Sequence, residues 1–207
     1  MRRCRACASA SSSARRAKPS AAPATDAAQQ VALGNYDAAI NVGVRGIATE
    51  MGGSQVATVG RCEFTPNLVN VVPSKVVLTV DLRNTDEMLL QEAERRFVAL
   101  CESLAADEGV TIERRTLARF EPVDFDPAMI DRVEAHAQSL GLTHMRMPSG
   151  AGHDAQMLAR VCPTSMIFVP SVNGLSHNIA EFTATADLQS GADVLLRMVL
   201  ELADEGE

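Results

Sequence analysis

PSGAGHDAQMLARVCPTSMIFVPSVNGLSHNIAE, residues 148–181, is the stretch on which the reading of this chain turns. Two of the four histidines, each beside a polar neighbour, flank the apolar run Met166-Ile167-Phe168-Val169, which reads as a buried strand. Gly150 and Gly152, just before His153-Asp154, suit a tight turn in which backbone can approach a ligand closely. Pro170 stops the strand and Gly174 loosens the loop, so Ser176-His177-Asn178 falls just past the strand's carboxyl end. In open α/β sheets ligands bind at that end. Taken singly, His153 and His177 read as ordinary loop residues. Their order is what carries information: glycine turn, His-Asp, short helix, apolar strand, glycine loop, Ser-His-Asn and then Glu181.

Upstream, Ala39, Ile40, Gly43, Val44, Ile47 and Met51 recur at helical spacing, and Gly52-Gly53 ends a helix over about 36–51. Residues 56–64 and 76–82 read as strands joined by a connection containing Pro and Asn. In the second, Val76, Leu78, Val80 and Leu82 share one face, which puts Arg83 on the other, free to meet solvent or an anion. Asn84 and Glu87 are spaced as a capping box for a helix to about residue 106. That helix carries the stripe Leu89, Leu90, Ala93, Phe97, Leu100, Cys101 and Leu104. Residues 110–120 make a third strand, and together these elements form an α/β layer. Asp126 caps a helix that starts at Pro127 and runs to Gly141. A strand near 144–147, a helix through Leu158, the Met166 strand and a last helix over about 186–202 follow. His136 and His144 read as structural or solvent-facing. The fold class is α/β.

Charge is uneven along the chain. Arg2, Arg3, Arg5, Arg15, Arg16 and Lys18 precede the first acid, Asp26, and the remainder carries thirteen basic against twenty-six acidic residues. An acidic globular part disfavours nucleic acid as a partner, and no apolar run is long enough to cross a bilayer. Residues 1–33 are rich in Ala, Ser and Arg and read as disordered, with an organellar transit peptide as one meaning of that composition. Cys4, Cys7, Cys62, Cys101 and Cys162 are odd in number and scattered, which fits a reducing, cytoplasmic setting. Cys4 and Cys7 have CxxC spacing without a second pair, whereas Cys62, Cys101 and Cys162 sit among apolar residues and read as core side chains.

From Met51 to Leu202, about three quarters of the chain, the sequence resembles the amidohydrolase branch of the M20 metallopeptidase-like family. This branch includes N-carbamoyl-L-amino-acid hydrolases, allantoate amidohydrolases and β-ureidopropionase-type enzymes. The resemblance rests on Gln55-Val56-Ala57-Thr58-Val59-Gly60, Asn67-Leu68-Val69-Asn70-Val71-Val72-Pro73, Asp81-Leu82-Arg83-Asn84, residues 149–157 and residues 176–181, in the family's order. It implies a lid or dimerisation domain, incomplete here, over 34–121 and the C-terminal part of a catalytic domain over 122–207. It also implies a homodimer and a small ureido or N-carbamoyl carboxylate as substrate. By the same carry-over, Asn70 and Arg83 bind substrate from the lid, Gly152 and His153 line the pocket with Asp154 orienting His153, and His177 is a ligand of a paired zinc or manganese site. A guanidinium suits its task because its planar fork grips a carboxylate through two bonds.

The family's other metal ligands and its general base are expected upstream of the lid, and no such set stands before Met51. The lid's His-Ala-Gly-Thr-Thr-Pro motif is missing, and Ile179 stands where a proline is usual. One histidine cannot hold a pair of metals, so no catalytic residue is assigned in this chain. Two readings remain open: a truncated amidohydrolase, and a non-catalytic fragment that keeps only the dimerisation layer.

Overall fold

The computed structural model describes residues 3–4, 6–16 and 36–205, with side chains from 37 to 205. The chain divides into two compact units, one comprising Arg5–Pro122 with Ser149–Gly152, the other Met1–Cys4, Val123–Pro148 and His153–Glu207. Each mixes helix and strand within an α/β fold.

In the first unit, strand β2 (Ala6–Arg16), helix α1 (Tyr36–Met51), strands β3 (Val56–Thr65) and β4 (Lys75–Asn84), helix α2 (Glu87–Glu108) and strand β5 (Val110–Arg119) follow in chain order. The four strands form an antiparallel sheet in the order β3-β4-β2-β5. Period-two patterning is carried through in β4, where Val76, Leu78, Val80, Leu82 and Asn84 are buried and the intervening residues half-buried. Leu78, Val80 and Leu82 meet Ile40, Val44 and Ile47 of α1 and Leu90, Ala93, Phe97 and Cys101 of α2 in one core. Each of the large side chains contributes about 1.5–3 kcal/mol through burial. The two helices approach closely at Gly43, where a Cβ would lie 2.5 Å from Leu100 Cδ2.

Gly52, at φ 58°, ends α1, and Gly109, at φ 60°, ends α2 with its N–H donating to the Ala105 carbonyl. The cap of α2 differs from the sequence expectation. Asp86 is the N-cap residue and accepts from the N–H groups of Met88 and Leu89, whereas Asn84 accepts from the Asp86 N–H and donates to Gln55 Oε1. Asn84 is buried as the last residue of β4 and so cannot also turn the chain.

Residues 6–16 also depart from expectation. Composition reads them as part of a disordered segment over 1–33, yet they pair with β4 on one side and β5 on the other. A strand between two others gains backbone hydrogen bonds on both edges, and those bonds do not depend on side-chain composition. The remaining residues of that segment, apart from Arg3 and Cys4, lie outside the described residues.

In the second unit, strand β1 (Arg3–Cys4) pairs with strand β6 (Val123–Asp124). Helix α3 (Pro127–Ser139), the short helix α4 (Ala155–Leu158) and helix α5 (Thr185–Asp204) complete it. Asp126 caps α3 as expected, accepting from the Met129 N–H. Arg132 of α3 donates to Glu201 of α5 and to Glu205, the residue that caps it, and His136 Nε2 lies 2.5 Å from Glu201 Oε2, so His136 is structural. Phe125 and Ala155 form a small core with Ile130, Ala159 and Met166 around them.

The expected strands at 144–147 and 166–169 belong to no ladder among the described residues, and Phe168 is 52% exposed. A strand exists only when a partner accepts its hydrogen bonds, and an apolar run does not supply one. Two of the three cysteines read as core are exposed: Cys62 lies on β3, at the margin of its sheet, and Cys162 follows α4 in a turn. Only Cys101, on the inner stripe of α2, is buried.

Candidate substrate-binding site around Arg83

Arg83 stands one residue from the end of β4, on the face opposite Leu82. The sequence leaves its guanidinium free to meet an anion; the structure instead ties it to Asp81 and Gly150. Its Nε donates to Asp81 at 3.0 Å and its Nη2 at 2.5 Å, while Nη1 donates to the Gly150 carbonyl at 2.7 Å. Asp81 is the positioning residue that sequence reasoning passed over. The signal was available, since residues two apart on a strand share a face. The contact with Gly150 spans 67 positions and no local pattern announces it.

The loop that meets Arg83 is built by Ser149, which is buried and whose Oγ accepts from the Ala151 N–H at 3.3 Å. Gly152 follows, exposed, in the same unit as Arg83. The structure thus brings together Arg83, Asp81 and the glycine turn. Asn70 is not part of that group. It sits exposed in the turn between β3 and β4, beyond Lys75, whereas Arg83 is at the other end of the strand. Arg83 lies eight residue steps along the strand from Lys75, about 26 Å at the usual rise.

His153 and His177 belong to the second unit. His153 is exposed, and its Nδ1 accepts from the Ala155 N–H at 3.1 Å. The ring is therefore oriented by the first turn of α4 and not by Asp154, and a neutral imidazole so held carries its proton on Nε2. His177 is exposed, with φ 57° in the left-handed region that few non-glycine residues adopt. That turn is fixed by the Glu181 carboxylate, which accepts from the His177 N–H at 2.8 Å, and by Asn178, which accepts from the Ala180 N–H.

Among the described residues no group of three or more His, Cys, Asp or Glu side chains is placed to hold a metal ion. The donors present do not fit a paired-metal site, and His177 is a single candidate ligand. A separate cavity of about 490 Å³ lies beside α3 and is lined by Phe125, Ile130, Arg146, Ala159 and Cys162 among others. Arg146 there is bound by Glu134 and Asp131, which hold its guanidinium above the usual arginine range.

Residues 12–201 match the family described as Peptidase family M20/M25/M40. The chain is 42% identical over 161 residues to the N-carbamoyl-L-amino-acid amidohydrolase of Rhizobium meliloti, covering 78% of this chain and 39% of that protein. It is 40% identical over 160 residues to the allantoate amidohydrolase of Escherichia coli, covering 75% of this chain and 38% of that protein. Among solved structures, an amidase of the hydantoinase/carbamoylase family from Burkholderia vietnamiensis superposes with a TM-score of 0.84 at 31% identity, over 97% of this chain and 48% of that one. The chain spans about two fifths of the length of these curated relatives and about half of the solved one. With its β4 arginine, its glycine turn and the extent of these matches, the chain belongs to peptidase family M20/M25/M40.

Proposed function

We propose that this chain supplies the substrate-gripping part of a metal-dependent amidohydrolase that cleaves the C–N bond of a ureido or N-carbamoyl amino acid, or of an allantoate-like compound. The observation that carries the reading is the seating of Arg83. Asp81 fixes one edge of the guanidinium, and Nη1 is turned to the Gly150 carbonyl. A carboxylate reaching the glycine turn would compete with that carbonyl for Nη1, and a charge-assisted bond is roughly twice as strong as a neutral one. The acid end of the substrate would then be anchored, which aims the scissile bond and removes much of the entropic cost of reaction.

Gly152 would let the substrate approach backbone closely. His153, with its proton on Nε2, would donate to a substrate oxygen. Asn70, at the far end of β4, would act at a place other than the Arg83 grip. A divalent ion such as zinc or manganese, when bound, polarises a carbonyl and activates water. Among the described residues His177 is the one that would contribute to holding it. This unit would form a homodimer through its outer strands, since among the described residues β3 and β5 each have one unpaired edge in this sheet.

Support comes from relatives whose names specify carbamoyl and allantoate hydrolysis. The test is a chimera in which the 161 matched residues of the Rhizobium meliloti relative are replaced by those of this chain. Ammonia release from N-carbamoyl-L-amino acids or allantoate, lost in Arg83→Ala, is the expected result. A folded, metal-loaded chimera that hydrolyses neither substrate overturns the proposal.

A further inference from the structure

Two buried polar side chains stand beside Arg83 and take no part in its bonds to Asp81 and Gly150. Gln55 is 6% exposed and Asn84 1%. Gln55 lies between α1 and β3, where its own N–H donates to the Gly52 carbonyl at the end of α1. Asn84 is the last residue of β4. Val56 is opposite Arg83 in the β3–β4 ladder, and that pair is the ladder's end rung. β3 lies at the margin of the described sheet. The end of an outer strand is where pairing opens most readily.

A relay of side-chain bonds carries that pairing one step further. The Asp86 N–H donates to Asn84 Oδ1 at 3.0 Å, Asn84 Nδ2 donates to Gln55 Oε1 at 2.9 Å, and Gln55 Nε2 donates to the Val56 carbonyl at 2.9 Å. A backbone donor at one end and a backbone acceptor at the other leave each amide a single orientation. Buried amides joined in this way have no water to turn to, so removing one member strands the others. The relay brackets Arg83, because Asn84 is its neighbour in sequence and Val56 its neighbour across the ladder. The guanidinium is aimed from this same backbone, with Asp81 holding its Nε and Nη2 from two residues back.

We infer that Gln55 and Asn84 are positioning residues for Arg83: they clamp the end of the β3–β4 pair, so that the guanidinium meets Asp81 and the Gly150 carbonyl in one fixed register. The inference rests on the reading of Arg83 as the grip on a substrate's acid end, and it assigns the aim of that grip to two buried residues. An apolar pair would fill the same space without imposing a direction, whereas amides that must be satisfied together impose one. Glutamine suits its place because one stem carries both an acceptor for Asn84 and a donor for Val56. Methionine matches the stem and lacks both groups; glutamate keeps the acceptor and lacks the donor.

The first measurement uses the full isotope-labelled chain and needs no turnover. The Arg83 Nε–H signal in nuclear magnetic resonance, assigned by its loss in Arg83→Lys, reports whether the guanidinium is held. Its exchange with water should speed at least fivefold in Gln55→Met and at least threefold in Gln55→Glu, while the Val80 amide keeps its protection. Should Gln55→Met lose that protection, Gln55→Glu carries the comparison. The second measurement is a double-mutant cycle in the chimera. Gln55→Met should raise KM for N-carbamoyl-L-amino acids at least fivefold with kcat within twofold, and should lower kcat/KM by less than twofold in the Arg83→Lys background. Exchange at Arg83 within twofold of the parent in the folded variants overturns the inference, as does an equal kinetic loss in both backgrounds. A chimera that keeps its activity in Arg83→Ala overturns the reading of Arg83 as the grip, and the exchange measurement then decides the positioning by itself.

Discussion

Arg83 donates through Nη1 to the carbonyl oxygen of Gly150 at 2.7 Å, across 67 residues of sequence. This bond ties the end of β4 to the glycine turn. Its geometry depends on a planar fork, one edge of which is already held by Asp81. Lysine carries the same charge without that fork.

Arg83→Lys in the chimeric enzyme is therefore expected to lower kcat/KM for N-carbamoyl substrates at least tenfold, close to the effect of Arg83→Ala. Steady-state ammonia release measures it. Rates within twofold of the parent for Arg83→Lys would mean that charge alone suffices.

Gly43 and Gly46 lie on the same helix and should respond oppositely to alanine. At Gly43 the new methyl meets Leu100 at 2.5 Å, and overpacking of this kind costs about 1–3 kcal/mol. At Gly46 the nearest atom is the flexible Glu50 Oε1 at 4.0 Å, so the gain in helix propensity, about 1 kcal/mol, should be retained. Urea unfolding of the two variants distinguishes them.

Asp86→Ala removes the acceptor for two N–H groups at the start of α2 and is expected to cost about 1 kcal/mol. Asp86→Asn keeps an oxygen in place and should cost less. Thermal unfolding monitored by circular dichroism tests the pair.

Burial raises the Cys101 thiol from 9.0 to about 11. Between those values the unfolded chain loses its proton and the folded one keeps it, so the folded state is favoured in full below about pH 9 and that advantage is lost as pH rises through 11. Stability should fall by about 2–3 kcal/mol across the window through this group. Cys101→Ala should lose that slope. In the native protein at pH 8 alkylation should reach Cys62 and Cys162 before Cys101; mass spectrometry of the modified peptides reads this directly.

His177 is a single candidate donor and the described residues offer no cluster around it. The 207-residue chain by itself is expected to bind no stoichiometric pair of divalent ions and to release no ammonia from N-carbamoyl amino acids. Elemental analysis of purified protein, run beside the chimera, provides the measurement; two equivalents of zinc or manganese retained after dialysis would contradict the expectation.

Much of this protein can be read in its residues because periodic burial imposes periodic sequence. Ile40, Val44 and Ile47 at helical spacing, the alternation from Val76 to Leu82, and the Asp126-Pro127 start of α3 locate their elements within a residue or two. The same alternation puts Arg83 opposite the core and beside Asp81. What needed the fold is whatever depends on a distant partner. Ala6–Arg16 is a strand because β4 and β5 offer ladders to it, although its small residues carry no strand signal. Residues 166–169 carry that signal and form no ladder, because no neighbouring strand is supplied among the described residues. The bond from Arg83 to Gly150 joins segments 67 residues apart, and its existence follows from how the chain returns to the sheet, which side-chain periodicity cannot encode.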